Sequence, residues 1–189
     1  MRGLTYFVGA SLDGFIAGPG GSVADFYPLP DGMLDLLVAE YPDTIPSHLQ
    51  ASVGAEPAGR FDTVVMGRGT YEPGLREGVT SPYSHLRQYV VSTTMGASPD
   101  PAVRLIREDP AAAVRALKRE DGAGIWLAGG GALAGALLDE IDELVVKVYP
   151  FVLGSGTPMF TAPFDPRRFT FTGHRTVEGG AAVMTYTAN

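Results

Sequence analysis

The sequence contains no cysteine, and this absence excludes several kinds of chemistry. Without thiols the chain can form no disulfide, bind no metal through thiolate and use no thiol nucleophile. The histidines His48, His85 and His174 are scattered along the chain and lack the spacing of metal ligands. We therefore expect no metal centre, and a chain without thiols fits the reducing cytoplasm.

Long apolar runs are also missing, although hydrophobic residues make up 45% of the 189 residues. No stretch approaches the roughly 20 apolar residues of a membrane span, and the first residues read as a strand rather than as a signal peptide. Positive charge is scarce, because the formal net charge is −7 at pH 7 and no basic stripe is visible. We therefore expect a cytoplasmic protein that binds neither a membrane nor a nucleic acid.

Glycine and proline, by contrast, are abundant, with 25 and 15 residues, and predict many structured loops. Between these loops, short apolar runs typical of strands alternate with segments of helical periodicity. The predicted strands are residues 4–10, 63–66, 89–92, 103–106, 125–128 and 144–149, followed by a hairpin of residues 169–176 and 182–187. The predicted helices are residues 30–41, 110–118 and 132–139, and residues 42–60 are predicted to be irregular apart from at most one helical turn.

Helices that alternate with strands predict an α/β fold in which helices cover both faces of a mostly parallel sheet. The terminal hairpin adds antiparallel strands at one edge of that sheet. The sequence shows no internal repeat, low-complexity tract or linker. We therefore predict a three-layer α/β/α architecture in which residues 1–189 form a single domain.

A glycine triplet, Gly129 to Gly131, joins a predicted strand to a predicted helix. Residues without side chains let the backbone approach a ligand closely, and the free N–H groups that open a helix suit a pyrophosphate. A tight turn with no ligand explains the triplet equally well, because Ala132 and Leu133 follow where a dinucleotide fingerprint would continue differently. Both alternatives stay open at the level of the sequence.

Two further turns follow predicted strands, where ligands bind in open α/β sheets. In the first turn, Gly67 permits close approach, Arg68 can clamp a phosphate, and Thr70 can bond a phosphate oxygen or cap the next helix. In the second turn, Ser92 and Thr93 suit a terminal phosphate such as the 2′-phosphate of NADPH. An exposed arginine and ordinary capping hydroxyls are the alternative for these two turns.

The turn after the first strand carries a single carboxylate, Asp13. Gly9 and Ala10 precede it and leave room for a flat ring against the strand, and Ile16 follows it. Asp13 can donate a proton in catalysis, or it can hold the turn by accepting hydrogen bonds from nearby backbone N–H groups. We expect the structural role first, and we name Asp13 as the one catalytic candidate.

Five short motifs occur in order along nearly the whole chain. They are ASLDG from residue 10, MGRGTYE from residue 66, STT from residue 92, GGGAL from residue 129 and YPFVLGSG from residue 149. Taken in this order, the motifs resemble those of the dihydrofolate-reductase-like family. The similarity is closer to the reductase domain of the bifunctional riboflavin-biosynthesis deaminase–reductase and to its stand-alone relatives.

This resemblance implies a sheet of eight strands, NADPH bound across the strand ends, and commonly a homodimer. It also implies an oxidoreductase that transfers a hydride to a heterocyclic small molecule. The first substrate expectation is a 5-amino-6-(5-phosphoribosylamino)uracil-type compound of riboflavin biosynthesis. A dihydropterin is the second, and a non-catalytic NADPH-binding module is the remaining alternative. The positions that the resemblance assigns to the cofactor are Ala10, Ile16, Gly67, Arg68, Thr70, Ser92, Thr93, Gly129, Gly130, Gly131, Ala132 and Leu133.

Two departures from the family pattern bear on the substrate and on the source of the proton. Riboflavin reductases often carry a glutamate just before the glycine turn, where this chain has Ala128. Dihydrofolate reductases carry an acid in the first helix, and the candidates here, Asp31 and Asp35, stand in an unfamiliar context. The proton that accompanies hydride transfer can come from Asp13, from an acid on the first helix, or through water.

Overall fold

Strands make up the centre of the molecule, and a computed structural model describes all 189 residues. Eight of the ten strands form one sheet, and the short strands β2 and β8 pair with each other beside it. The strands are β1 (Leu4–Ser11), β2 (Phe15–Ala17), β3 (Phe61–Gly67), β4 (Arg87–Val91), β5 (Val103–Ile106), β6 (Gly124–Gly129), β7 (Glu143–Tyr149), β8 (Thr157–Pro158), β9 (Phe169–Thr176) and β10 (Ala182–Ala188).

Five α-helices connect these strands, together with a few turns of 3₁₀ helix. The helices are α1 (Met33–Glu40), α2 (Ser47–Val53), α3 (Arg68–Arg76), α4 (Pro110–Arg119) and α5 (Gly131–Ala136). No helix is both long enough and apolar enough to cross a membrane.

The sheet has the strand order β5-β4-β3-β6-β1-β7-β10-β9. The six strands from β5 to β7 run parallel, and β10 is antiparallel to both β7 and β9. This arrangement confirms the predicted mostly parallel sheet with a C-terminal antiparallel hairpin.

Successive side chains on a strand point to opposite faces of the sheet, so two hydrophobic cores form. On one side, here called the α1 face, Phe7, Trp126 and Val145 pack with Met33 and Leu37 of α1. The other side, here called the α5 face, holds the core that Tyr6, Leu127 and Val146 share with α4 and α5. Because burying one large apolar side chain stabilises the fold by about 1.5–3 kcal/mol, these two layers supply most of the driving force.

The register of β1 differs on its two sides. Toward β7, β1 pairs along its length, from Thr5 opposite Glu143 to Ser11 opposite Tyr149. Toward β6, pairing ends after Tyr6 opposite Leu127. Just beyond that last pair, the indole Nε1 of Trp126 donates to the carbonyl oxygen of Phe7 at 3.2 Å. The carboxyl ends of β1 and β6 therefore separate and leave a cleft between them.

Helix boundaries follow local chemistry. The carboxylate of Asp109 caps α4 by accepting a hydrogen bond from the Ala112 N–H at 2.8 Å, and Pro110 is the first helical residue, as predicted. Helix α1 begins at Met33 rather than at residue 30, because Gly32 adopts a left-handed conformation with φ of +78° just before it. The prediction placed this start three residues too early because the apolar pattern carries no information about that kink.

The segment of residues 42–60 is more ordered than predicted, because it contains the seven-residue helix α2. Its key residue is Asp43, whose side chain is fully buried. The Asp43 carboxylate accepts hydrogen bonds from the N–H groups of Ala58 at 2.8 Å, Gly59 at 3.3 Å and Phe61 at 3.0 Å. One buried acid thus fixes the loop that leads into β3.

We predict that Asp43→Ala lowers the free energy of unfolding by about 3 kcal/mol, because three backbone N–H groups, that of the buried Phe61 among them, lose a charged acceptor. Urea denaturation followed by circular dichroism measures this change. The matched control is Asp35→Ala on the exposed side of α1, which makes no side-chain hydrogen bond and is expected to change stability by less than about 0.5 kcal/mol. Equal effects of the two substitutions would contradict the role given to Asp43.

Candidate functional site

The turns that follow β3 and β6 lie against each other at the carboxyl edge of the sheet. A Cβ atom placed on Gly67 would lie 3.5 Å from the Gly130 nitrogen and 3.6 Å from the Gly129 oxygen. Ile16, in the short strand β2 that follows β1, brings its Cδ1 atom to 3.7 Å from a Cβ placed on Gly130. The ends of three strands therefore meet at the cleft between β1 and β6, where ligands bind in open α/β sheets.

The three glycines of the triplet serve different purposes. Gly129 has φ of +116°, a conformation that residues with side chains rarely adopt. Gly131 has no space for a side chain, because a Cβ there would collide with the carbonyl oxygen of Pro158. Gly130 alone has an ordinary extended conformation and no atom closer than 3.7 Å to a Cβ position. The missing side chain of Gly130 therefore leaves space in the cleft itself.

Helix α3 begins at Arg68, directly after Gly67, and no side chain caps it. Of the two alternatives for Thr70, the capping role is therefore excluded, because Thr70 lies inside the first turn. Its hydroxyl oxygen is 3.7 Å from a Cβ placed on Gly129 and 4.0 Å from one placed on Gly130. Thr70 thus presents a hydroxyl group to the glycine turn.

Arg68 links this turn to the one that follows β4. Its Nη1 donates to the hydroxyl oxygen of Thr94 at 2.6 Å, and its Nε is paired with Glu72 one helical turn away. Ser92 is buried, and its hydroxyl oxygen accepts hydrogen bonds from the N–H groups of Thr94 at 3.3 Å and Met95 at 3.0 Å. The hydroxyl oxygen of Ser92 therefore caps the turn, as the alternative proposed. Thr93 and Thr94 are exposed.

These contacts connect the predicted site residues into one continuous surface. It runs from Ile16 and Gly130 through Thr70 and Arg68 to the hydroxyl groups after β4. Ala10 lies buried at the end of β1 on the α5 face, and Leu133 packs into the same core. The structure thus brings together residues that are separated by up to about two-thirds of the chain, and Arg68 supplies the positive charge of this surface.

Asp13 is held in a dense hydrogen-bond arrangement. Its carboxylate accepts from the Ser11 hydroxyl at 2.6 Å and from the N–H groups of Leu153 at 3.1 Å and Gly154 at 2.7 Å. The bond from Ser11 is the main cause that lowers the pKa of Asp13. Because these bonds favour the ionised carboxylate, they support the structural role, in which Asp13 ties the loop after β7 to the end of β1, over that of proton donor.

The α1 face of the cleft contains few acids. Ala128 occupies the position just before the glycine turn and packs half-buried toward the α1-face core. Asp31 and Asp35 are both exposed, while α1 turns Met33 and Leu37 toward the sheet. Neither Asp31 nor Asp35 is therefore a buried partner for a ring bound in the cleft.

Sequence reasoning missed Lys147, which lies on β7 beside this part of the cleft. Its Nζ is 4.5 Å from the centre of the Phe7 ring. A Cβ placed on Gly9 would lie 3.7 Å from Lys147 Cε and 2.9 Å from Tyr149 Cε2. The signal that could have found it is a single lysine within the otherwise apolar strand predicted at residues 144–149.

The fold and the cleft define the class of the molecule as a dihydrofolate-reductase-like α/β domain. Dihydrofolate reductase from Enterococcus faecalis, in a structure complexed with NADP(H) and RAB-propyl, superposes with a TM-score of 0.64. The match has 14% sequence identity and covers 99% of this chain and 96% of the reductase. This similarity concerns the fold alone.

The sequence narrows the assignment to a family. A model of the RibD C-terminal domain matches residues 2–183, and the chain belongs to this family. The uncharacterized protein YwjB of Bacillus subtilis (strain 168) is 33% identical over 161 residues, which are 84% of this chain and 83% of YwjB. A Shewanella sp. PV-4 protein described as a riboflavin biosynthesis protein superposes with a TM-score of 0.74 and 25% identity, over 100% of this chain and 99% of that one. The resemblance inferred from the five motifs is thereby confirmed, and the chain is a member of an oxidoreductase family.

We predict that Gly131→Ala lowers the free energy of unfolding by about 2 kcal/mol, because its Cβ collides with the Pro158 backbone. The matched control is Gly130→Ala, whose Cβ meets only ordinary contacts and which should cost less than about 1 kcal/mol. Urea denaturation of the two variants measures the difference. A Gly130→Ala variant as unstable as Gly131→Ala would contradict the distinction between the two glycines.

Proposed function

We propose that the chain is an NADPH-dependent reductase that transfers a hydride to a heterocyclic small molecule. The observation that carries this proposal is the convergence of the turns after β1, β3, β4 and β6 on one cleft. Membership of the RibD C-terminal domain family and the NADP(H) bound by the E. faecalis reductase support it. The best substrate candidate is a 5-amino-6-(5-phosphoribosylamino)uracil-type compound, since the Shewanella relative is described as a riboflavin biosynthesis protein.

The residues at the cleft fit a phosphorylated dinucleotide. Gly130 leaves a space that any side chain would fill, and Thr70 offers a hydroxyl donor beside it. Arg68 offers a guanidinium group next to the Thr94 hydroxyl, which together suit the 2′-phosphate that distinguishes NADPH from NADH. Bound here, NADPH would supply the hydride, and the chain's own residues would fix its position.

The substrate would lie on the α1 face, beside Gly9. The missing side chain of Gly9 lets the Tyr149 ring pack flat against the end of β1, because a Cβ there would lie 2.9 Å from Tyr149 Cε2. Aromatic rings continue this surface, since the Phe26 ring lies 5.2 Å from that of Tyr149. Such a surface suits a planar heterocycle. Ala128, in place of the family's glutamate, argues for a substrate that differs in part from that of the riboflavin reductases.

A second candidate is a non-catalytic NADPH-binding module. It is favoured by the engagement of the Asp13 carboxylate in three hydrogen bonds and by the exposed positions of Asp31 and Asp35.

We further expect a homodimer in the cytoplasm, as the family resemblance implies. Light scattering of the purified chain tests the oligomeric state.

We predict that NADPH raises the melting temperature of the protein in proportion to the logarithm of its excess over Kd. We also predict that NADPH absorbance is lost when a 5-amino-6-(5-phosphoribosylamino)uracil-type compound or dihydrofolate is added. Loss with either compound supports the reductase, and binding without loss supports the NADPH-binding module. A melting temperature that NADPH leaves unchanged would contradict both.

We predict that Arg68→Ala weakens NADPH binding about tenfold, which corresponds to about 1.4 kcal/mol, because a phosphate contact of a partly exposed guanidinium group is lost. NADH, which lacks the 2′-phosphate, should bind almost as before. Titration calorimetry with both nucleotides measures the two losses. Arg167→Ala, which removes the same charge from a remote ion pair with Asp139, is the control and should change neither. Equal losses for NADPH and NADH would remove Arg68 from the 2′-phosphate site.

A further inference from the structure

Lysine is rare in this chain, and its two representatives differ sharply in their surroundings. Lys118 forms an ion pair with Asp142 at 2.7 Å and donates to the Glu140 carbonyl oxygen at 3.0 Å. Lys147 makes no hydrogen bond and no ion pair with any other residue, and its Nζ lies over the face of the Phe7 ring, 4.5 Å from the ring centre. An ammonium group held in this way lacks the partners that half-buried charges normally have.

The position of Lys147 places it at the cleft rather than in the core. In the sheet it lies between Gly9 of β1 and Val183 of β10. Its side chain is on the α1 face with Phe7 and is partly exposed, and its Cε lies 3.7 Å from a Cβ placed on Gly9, where the Tyr149 ring also packs. This is the side of the cleft on which the proposed substrate would lie.

The environment of Lys147 makes it a ready proton donor. Desolvation lowers the pKa of Lys147 to about 8, so that the group is charged at neutral pH but releases its proton easily. The titratable groups around it are tyrosines: Tyr149 on its own strand, whose pKa burial raises to about 12, and Tyr41 after α1, whose ring contacts Phe7 and whose pKa burial also raises. The neighbouring strands present Gly9 and Val183, which carry no charge.

We propose that Lys147 faces the substrate and donates the proton that accompanies hydride transfer. This inference rests on the proposed reductase function. The hydride from NADPH, with its electron pair, forms a bond to the carbon of a C=N group in the substrate, and the π electron pair of that group moves to nitrogen. The nitrogen takes a proton from Lys147 Nζ, which becomes a neutral amine and regains its proton from water. One NADPH and one proton are consumed, and NADP⁺ and the reduced amine are formed.

The arrangement of the other candidates supports this assignment. Asp13 is committed to three hydrogen bonds that favour its ionised form, and Ala128 has no proton to give.

Lys147 also destabilises the folded chain. Because its pKa is lower in the folded chain than the ordinary value of about 10.4, the unfolded chain binds more protons between these two pH values. The free energy of unfolding therefore decreases as pH falls from about 10 to about 8. Below about 8, Lys147 destabilises the folded chain most.

The kinetic test uses Lys147→Met, Lys147→Arg and, as the matched control, Lys118→Arg, with NADPH and a 5-amino-6-(5-phosphoribosylamino)uracil-type compound. We expect kcat of Lys147→Met to fall about 100-fold or more while KM changes less than about threefold. The wild-type kcat should fall as pH rises through about 8, and this dependence should be absent in Lys147→Met. Lys147→Arg should not restore kcat, because a guanidinium group does not release its proton. Normal turnover of Lys147→Met, or full rescue by Lys147→Arg, would overturn the proton-donor role and leave the reductase standing.

A second readout does not depend on turnover. Lysine labelled with ¹³C at Cε gives two NMR signals, and Lys118→Arg identifies that of Lys147. We expect the Lys147 signal to titrate near pH 8 and to shift when NADP⁺ is added, and we expect Lys147→Met to raise the melting temperature at neutral pH. A signal that titrates near pH 10.4 and ignores NADP⁺ would overturn the inference even in a protein that reduces no tested substrate. Failure of the wild-type chain to bind NADPH would instead overturn the proposed function and this inference with it.

Discussion

The separation of β1 from β6 is the constraint on which the rest of the structure depends. β1 stays paired with β7 to the end of the strand, but it leaves β6 after Tyr6, and the Trp126 indole takes the Phe7 carbonyl oxygen as its partner. A buried carbonyl group left without a partner would be costly, so this bond makes the separation tolerable. The cleft that results is the place where Ile16, Thr70 and the glycine turn meet.

The glycines at this cleft are required for different structural reasons. Gly129 is needed for its backbone conformation, and Gly131 lets the Pro158 backbone pack close. Gly9 lets the Tyr149 ring pack against β1, whereas Gly130 leaves space in the cleft itself. Gly9, Gly129 and Gly131 therefore serve the fold, and Gly130 serves the ligand that we propose.

Stability and function pull in opposite directions at Lys147. A folded chain gains little from a half-buried ammonium group whose one favourable contact is the face of the Phe7 ring, and an apolar side chain of similar length would fill the same space at lower cost. Asp43 and Lys118 show that this chain otherwise surrounds its buried charges with partners. Lys147 is the exception, and in the proposed reaction the bound substrate would supply the partner that it lacks.

The sequence by itself determined the fold class, because alternating strand and helix patterns with a terminal hairpin admit few other architectures. Its ordered motifs also pointed to the family, and its turns after β3, β4 and β6 supplied the candidate residues. Only the tertiary structure decided which of them meet: the contacts from Gly130 through Thr70 to Arg68 join residues far apart in the chain. The sequence offered two roles for Asp13, and only the hydrogen bonds in the structure favour one of them. The roles of Asp43 and Lys147 could not be predicted at all, because periodicity reports which face of an element a residue lies on, whereas hydrogen-bond partners and desolvation depend on what the fold packs against it.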